Sequence, residues 1–447
     1  MSMIEPLREV LTGRVVTPDN SDWESVRTAW NLAVDQQPLA VVLAADASDV
    51  EHTVAFAAAH DLKVAAQAGG HGATKALDGT ILVRTSELDD IWIDSHAGIA
   101  RVGAGVRWGA LQSALDGTGL TGLPGSCGGI SVVGYCTGGG LSWFSRPYGS
   151  GAGSLRAVEL VDASGSRRWI DDSTDPELMW AIRGGGGNFG VITSVEVELF
   201  AAPEITGGRL MFPIDQAEAV LTAYGAATAT AADHVTLWAY VTHFPDVPFV
   251  PEPVRGKSFC MVDAIAPYEP AALEAALAPI RAAGTPVGDT VRRHEPGSLG
   301  EIAPAPGDPA SLLIGSTTFD ELSPEVLGML LKHLGQPSPI FQVQIRHLRA
   351  SDDIGHTGVA AADPVAQYCA LLWAPVPLPE YEEPAREALL ALKDAMAPWH
   401  AGELPPSSLG AGDSLQDSIS EPDLVRLREI KQNVDPLGVL VGGYPVI

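Results

Sequence analysis

The chain has 447 residues, 46% hydrophobic and 18% charged. It is long enough for two or three domain-sized units and too apolar to be disordered. A formal charge of −28, from 27 basic and 55 acidic residues, opposes binding to nucleic acid or to an anionic membrane. Cys127, Cys136, Cys260 and Cys369 are too few and too scattered for a disulfide framework or a zinc site. With no secretory signal and no apolar run long enough to span a bilayer, a soluble, cytoplasmic protein without a metal is expected.

In chain order, a helix at 23–33 comes first, then a β-rich run at 39–44. Asp46 or Ser48 can cap a helix reaching residue 60, with Val50, Val54 and Ala57 at helical spacing. An apolar run at 62–66 reads as a buried strand and leads into Gln67-Ala68-Gly69-Gly70-His71-Gly72. Glycines there strip side chains from a turn, so backbone N–H groups can approach an anion. His71 is either placed to reach a bound ligand or an incidental polar residue of the turn.

Three β-like runs (80–84, 91–94, 100–102) and a helix at 108–115 precede a second glycine-rich stretch, residues 122–140. It holds Cys127 and ends in Gly138-Gly139-Gly140. A strand at 155–162, a helix at 175–183, a third glycine cluster at 184–187 and a strand at 191–199 follow. Gly185-x-Gly187-x-x-Gly190 has the spacing of a dinucleotide fingerprint. That fingerprint needs a strand before it and a helix after it. The order here is reversed, which excludes a Rossmann NAD site.

Pro203 and Gly207-Gly208 suggest a boundary. Beyond it, strands are expected at 209–212, 235–241, 258–264, 312–317, 340–345 and 366–373. Helices are expected at 216–228, 270–283, 324–334 and 383–397. Such a block suggests an antiparallel sheet with helical cover, either a substrate pocket or a plain packing domain. A helix at 421–432, stopped by Asp435-Pro436, and an extended, apolar end at 439–447 close the chain.

Taken jointly, these motifs resemble one family: the FAD-linked oxidases of the berberine bridge enzyme type, in the vanillyl-alcohol oxidase and p-cresol methylhydroxylase superfamily. The carrying residues are Gly69-Gly70-His71, and Gly125-Ser126-Cys127 with Gly134 and Gly138-Gly139-Gly140. To these add Arg183-Gly184-Gly185-Gly186-Gly187-Asn188-Phe189-Gly190 and Leu427-Arg428-Glu429-Ile430-Lys431 with Asp435-Pro436. The likeness covers residues 14–200 and 423–447.

The resemblance implies an α+β fold. A p-cresol methylhydroxylase-type FAD-binding domain is expected from residues 1–203, completed by 405–447. A substrate-binding domain of antiparallel sheet covered by helices is expected between them, at 204–404. FAD contacts are expected from Gln67, Ala68, Gly69, Gly70, His71, Gly72, Cys127, Gly128, Gly134, Thr137, Gly138, Gly139, Gly140, Gly187, Asn188, Gly190 and Val191. By the same resemblance His71 bonds the flavin 8α-methyl group and Cys127 bonds flavin C6; both are nucleophiles suited to electrophilic carbon. The alternatives are a non-covalent polar contact for His71 and a small buried thiol for Cys127.

The sequence departs from the family at three places. Gln67 stands where arginine is usual, losing a fixed charge near the phosphates, and Ser131 stands where glycine is common. Residues 404–410, LPPSSLG, lack the Tyr-x-Asn segment that supplies a catalytic tyrosine. Tyr368 is then a candidate base, or else a half-buried strand aromatic; Tyr444 is a weaker candidate on the tail. Trp373 is a pocket wall or core residue.

The expected function is an FAD-dependent oxidase, bicovalently flavinylated. It would oxidise an alcohol or amine C–H of a specialised secondary metabolite, a small molecule, with O2 as acceptor. The alternatives are an FAD-binding protein catalysing a non-redox cyclisation or rearrangement, and a drug-binding resistance protein. A monomer or homodimer is expected.

Overall fold

The computed structural model describes residues 4–248, 250–304, 307–335, 338–348, 358–360, 366–410 and 412–446. Its first sheet runs Arg14–Val16, Ala40–Leu43, Ile81–Arg84, Val64–Ala66, parallel except for the first pair. The central strands are buried almost throughout, as expected of parallel strands covered on both faces. Helix Ala47–Ala59 lies against them through Val50, Val54 and Ala57, and Asp46 caps it by accepting from Asp49 N.

The helix expected at 23–33 stops early: only Trp23–Arg27 is helical. Thr28 turns extended (ψ 129°), and the N–H groups of Trp30 and Asn31 donate to Gly69 O and Gly70 O at 2.9 and 3.2 Å. Hydrogen bonds to the first glycine turn have replaced the local helical ones, which sequence periodicity cannot foresee.

The second sheet is antiparallel, in the order Ile91–Asp94, Ile99–Gly103, Val191–Glu198, Leu155–Val161, Arg167–Asp171. Helices Trp108–Ala114 and Pro176–Gly185 share its core, and so does helix Glu421–Val434 through Leu424, Leu427 and Ile430. The third glycine cluster follows a helix and precedes a strand, the reverse of a dinucleotide fingerprint. The tail makes one parallel bridge, Leu440 to Val64, rather than a strand.

The largest sheet has eight strands, all antiparallel. Its main order is Gly288–Asp289, Thr206–Pro213, Ser258–Ala266, Thr236–His243, Gln342–His347, Tyr368–Pro375, Leu312–Phe319. Helices Ala217–Thr228, Pro270–Ala282, Pro324–His333 and Glu382–Met396 cover one face. The opposite face, with Trp238, Tyr240 and Met261, packs on Leu123, Trp143 and Phe144 around the second glycine stretch. The architecture expected from the resemblance is present.

Gly207 and Gly208 do not mark a break; both lie inside strand Thr206–Pro213. A Cβ on Gly208 would fall 2.5 Å from Thr290 O and Val291 Cα, in the link between the short strands Gly288–Asp289 and Arg292–Arg293. Glycine here answers a close backbone approach. Gly208→Ala is therefore expected to lower stability by about 1–3 kcal/mol. Gly187→Ala, with nothing within 4 Å of its Cβ, should stay within about 0.5 kcal/mol. Urea midpoints of the two variants check the contrast.

Candidate functional site

Strand Val64–Ala66 delivers the first glycine turn beside residues 28–31. Gly70 has φ +83°, and a Cβ there would meet Ala29 Cβ at 2.8 Å. Only glycine lets the turn close on that segment. The His71 ring stacks on Trp30 with centroids 4.2 Å apart and planes 11° from parallel. Its Nε2 is buried and has no hydrogen-bond partner. Burial, helped by the Arg107 charge, pulls the imidazole down to about 4, so the ring is neutral with a free lone pair at neutral pH.

Gln67 is not a lost charge in isolation. Its Oε1 accepts from Arg84 Nη1 at 2.6 Å. The remaining Arg84 donors hold Val26 O, Arg27 O and Thr28 O at 2.9–3.0 Å. Burial lowers this guanidinium to about 10, which leaves it charged at neutral pH. The positive charge missing at position 67 is supplied from the end of the neighbouring strand.

The second stretch lies along the start of helix Trp108–Ala114, with Gly109 N donating to Gly128 O at 2.8 Å. Cys127 is a half-buried free thiol. Ser131 caps helix Val132–Thr137 by accepting from Gly134 N, and donates to Ala104 O at 2.9 Å. The departure at Ser131 is thus a helix cap that fixes the path of the loop.

His71 and Cys127 line one cavity of about 710 Å³. Ala68, Gly69 and Gly128 line it too, as do Trp30, Arg84 and Arg107, and no carboxylate among the described residues does. A second cavity of about 630 Å³ shares His71 and adds Gly72, Thr74, Asp413 and Tyr444. These volumes fall within the ordinary range of ligand sites.

The remaining expected contacts are placed by packing. A Cβ on Gly139 would meet Pro406 at 3.2 Å, on Gly140 it would meet Tyr135 at 2.5 Å, and on Gly190 it would meet Leu160 at 3.0 Å. Gly138 ends helix Val132–Thr137, and Thr137 returns its hydroxyl to Val133 O. Gly134 is exposed and Val191 is in the core of the first sheet. Gly187 faces open space. Asn188 Nδ2 donates to Gly185 O and Tyr444 O, while its Oδ1 accepts from Val446 N.

Tyr368 is a correction. It points to the helix-covered face of the large sheet, where its hydroxyl is 2.6 Å from Thr228 Oγ1 and its ring stacks on Phe319. Strand alternation puts Cys369, Leu371 and Trp373 on the opposite face, with Leu141 of the second stretch. Tyr444 does line a cavity, but its hydroxyl donates to Leu409 O at 3.0 Å and burial pushes the phenol up to about 12. Both features oppose proton abstraction by Tyr444 near neutral pH.

Arg84, Arg107 and the polar strip Gln342, Gln344, Arg346 were not foreseen. The strip carries a signal in the sequence: polar residues at period two inside an otherwise buried strand.

Residues 38–171 match the family described as FAD binding domain. The chain is 30% identical over 230 residues to (R)-6-hydroxynicotine oxidase of Paenarthrobacter nicotinovorans, covering 50% of each. It is 35% identical over 210 residues to an FAD-dependent monooxygenase of Fusarium proliferatum, covering 45% of this chain and 41% of that one. The chain thus spans about half the length of the curated relatives it matches. Among solved structures, 6-hydroxy-D-nicotine oxidase from Arthrobacter nicotinovorans superposes with a TM-score of 0.81 at 24% identity, over 96% of both chains. Physcomitrella patens BBE-like 1 gives 0.86 at 16%, over 100% of this chain and 99% of that one. Residues 38–171 thus carry an FAD binding domain, and the chain has the fold of these berberine bridge enzyme-like structures.

The cavity chemistry fits that cofactor: two guanidinium groups for an anion, an unpartnered buried imidazole nitrogen and a thiol on one wall. Among the described residues no cluster could hold a metal ion, and no helix is long and apolar enough to cross a membrane. Because unfolded histidine titrates near 6.5 and folded His71 near 4, the unfolded state takes up the proton first, and stability falls as pH drops through that window. His71→Phe, which keeps the stack on Trp30, is expected to flatten that segment of a melting temperature against pH curve.

Proposed function

We propose that this protein is an FAD-dependent oxidase in which His71 and Cys127 are both attachment points for the cofactor. One observation carries the reading: the two nucleophilic side chains, from separate glycine-rich stretches, line the same cavity with Arg84 and Arg107 and with no carboxylate among the described residues. When bound, FAD supplies two-electron oxidation of a substrate C–H bond, with dioxygen as final acceptor.

The chain's own residues then have distinct work. Neutral His71, with its unpartnered Nε2, can act as a nucleophile without first losing a proton. Arg84 and Arg107 meet the negative charge of a pyrophosphate, with Gln67 orienting Arg84. Trp30 holds the imidazole plane by stacking. The substrate is a small molecule, as the name of the relative (R)-6-hydroxynicotine oxidase indicates for that protein, and a specialised metabolite is the class proposed here. A cytoplasmic monomer or homodimer completes the proposal.

The purified protein should be yellow, and acid precipitation should leave the colour in the pellet. His71→Ala or Cys127→Ala alone should keep colour in the pellet through the other bond, and the pair should release it to the supernatant. Arg84→Leu should lower flavin content by roughly tenfold, the scale of losing one charge-assisted contact. Substrate added without oxygen should bleach the visible band. Turnover without bleaching would favour the non-redox alternative, and tight binding without turnover the sequestering one.

A further inference from the structure

Strand Gln342–His347 turns Gln342, Gln344 and Arg346 to the face that meets the second glycine stretch, while Val343 and Ile345 enter the helix-covered core. The three side chains form a directed ladder. Arg346 Nε and Nη2 donate to Gln344 Oε1 at 3.3 and 2.9 Å. Gln344 Nε2 donates to Gln342 Oε1, and Gln342 Nε2 to Thr242 Oγ1, each at 2.7 Å. Each amide oxygen already serves its neighbour, so the valences left over on the strip are mainly N–H donors.

The charge on this layer does not balance. Arg209 holds both oxygens of the fully buried Asp263, at 2.6 and 2.7 Å. Arg346 is 8% exposed, and no carboxylate among the described residues lies within salt-bridge reach of it. Its guanidinium carbon lies 4.1 Å from the Trp238 ring centroid, and Trp238 in turn stacks on Trp143 of the glycine-rich region. The ring face offers some compensation to a buried cation, but not a counter-charge. On the same face Tyr240 stands in register with Gln344 and Trp373 with Gln342, and Trp373 Nε1 is buried without a hydrogen-bond partner. Gln342 and Trp373, side by side in register, are only half-buried, so the strip opens at the end opposite Arg346.

We infer that this donor-rich strip is a substrate-recognition surface and that it selects a substrate bearing a carboxylate, held by the free Nη1–Nη2 end of Arg346. The inference rests on the reading of the chain as a flavin enzyme whose substrate lies between the large sheet and the glycine stretches. A carboxylate supplies the missing negative charge and accepts two parallel N–H bonds from one guanidinium edge. A neutral substrate of the same shape leaves the cation unpaired.

The test uses the holoprotein titrated with benzoate and with benzamide, a charged and a neutral probe of similar shape. Binding is read twice, by perturbation of the visible flavin band and by the shift in melting temperature. Benzoate should bind at least roughly tenfold more tightly. Arg346→Met should remove that preference at unchanged flavin content, and Arg346→Lys should retain part of it. Equal affinity for the two probes, no detectable benzoate binding, or a preference that survives Arg346→Met overturns the inference. If Arg346→Met does not fold, the wild-type ratio and Arg346→Lys decide. A colourless protein that still prefers benzoate by melting shift would sink the flavin reading alone. A yellow protein indifferent to the charge would sink only this one.

Discussion

One half-buried ammonium group fixes the geometry on which the candidate site depends. Lys431 Nζ, on the last helix, donates to Asn188 O and Leu440 O at 2.6 and 2.8 Å and pairs with Asp435 Oδ2 at 2.6 Å. Asp435, fully sequestered, also accepts from the backbone of Val439 and Leu440. This clamp ties the third glycine cluster to the chain end. The end then reaches the first glycine turn, because Gly443 O accepts from Thr74 Oγ1, and Asn188 holds Tyr444 O and Val446 N. A lysine withdrawn from water is costly unless its three donors are met, and here all three are. Segments far apart along the chain are thereby held together beside the cavities that His71 lines.

The glycines fall into two physical classes. Gly72 and Gly187 face open space, where a missing side chain leaves room for a ligand. Gly139, Gly140, Gly190 and Gly208 are pressed against protein atoms, where a missing side chain lets backbone approach Pro406, Tyr135, Leu160 and Val291. Both classes look alike in a sequence. Likewise, a cation is interchangeable in space though not in position: Arg84 brings its charge to the first turn from a neighbouring strand and holds Gln67 as it does so.

Sheet alternation decides which side chains face the second glycine stretch. The strand pair Gln342–His347 and Tyr368–Pro375 sends Tyr368 to one face and Arg346 with Cys369 to the other. A one-residue shift would exchange them, since successive side chains point to opposite faces. The residue that looks catalytic by type is therefore core, and the residue that looks like an ordinary surface arginine is buried beside Trp238.

By itself the sequence determined the FAD binding domain, the fold class, most of the strands and helices, and the two nucleophiles that line one cavity. Those rest on local signals: glycine clusters flanked by apolar runs, helix caps such as Asp46, and Asp435-Pro436 at the end of the last helix. Only the tertiary structure decided the short helix at Trp23–Arg27, the glycines inside strand Thr206–Pro213, the face chosen by Tyr368 and the partners of Gln67 and Arg346. Each of these depends on a group distant in sequence, and local propensity is too weak to oppose hydrogen bonds and packing formed across the chain.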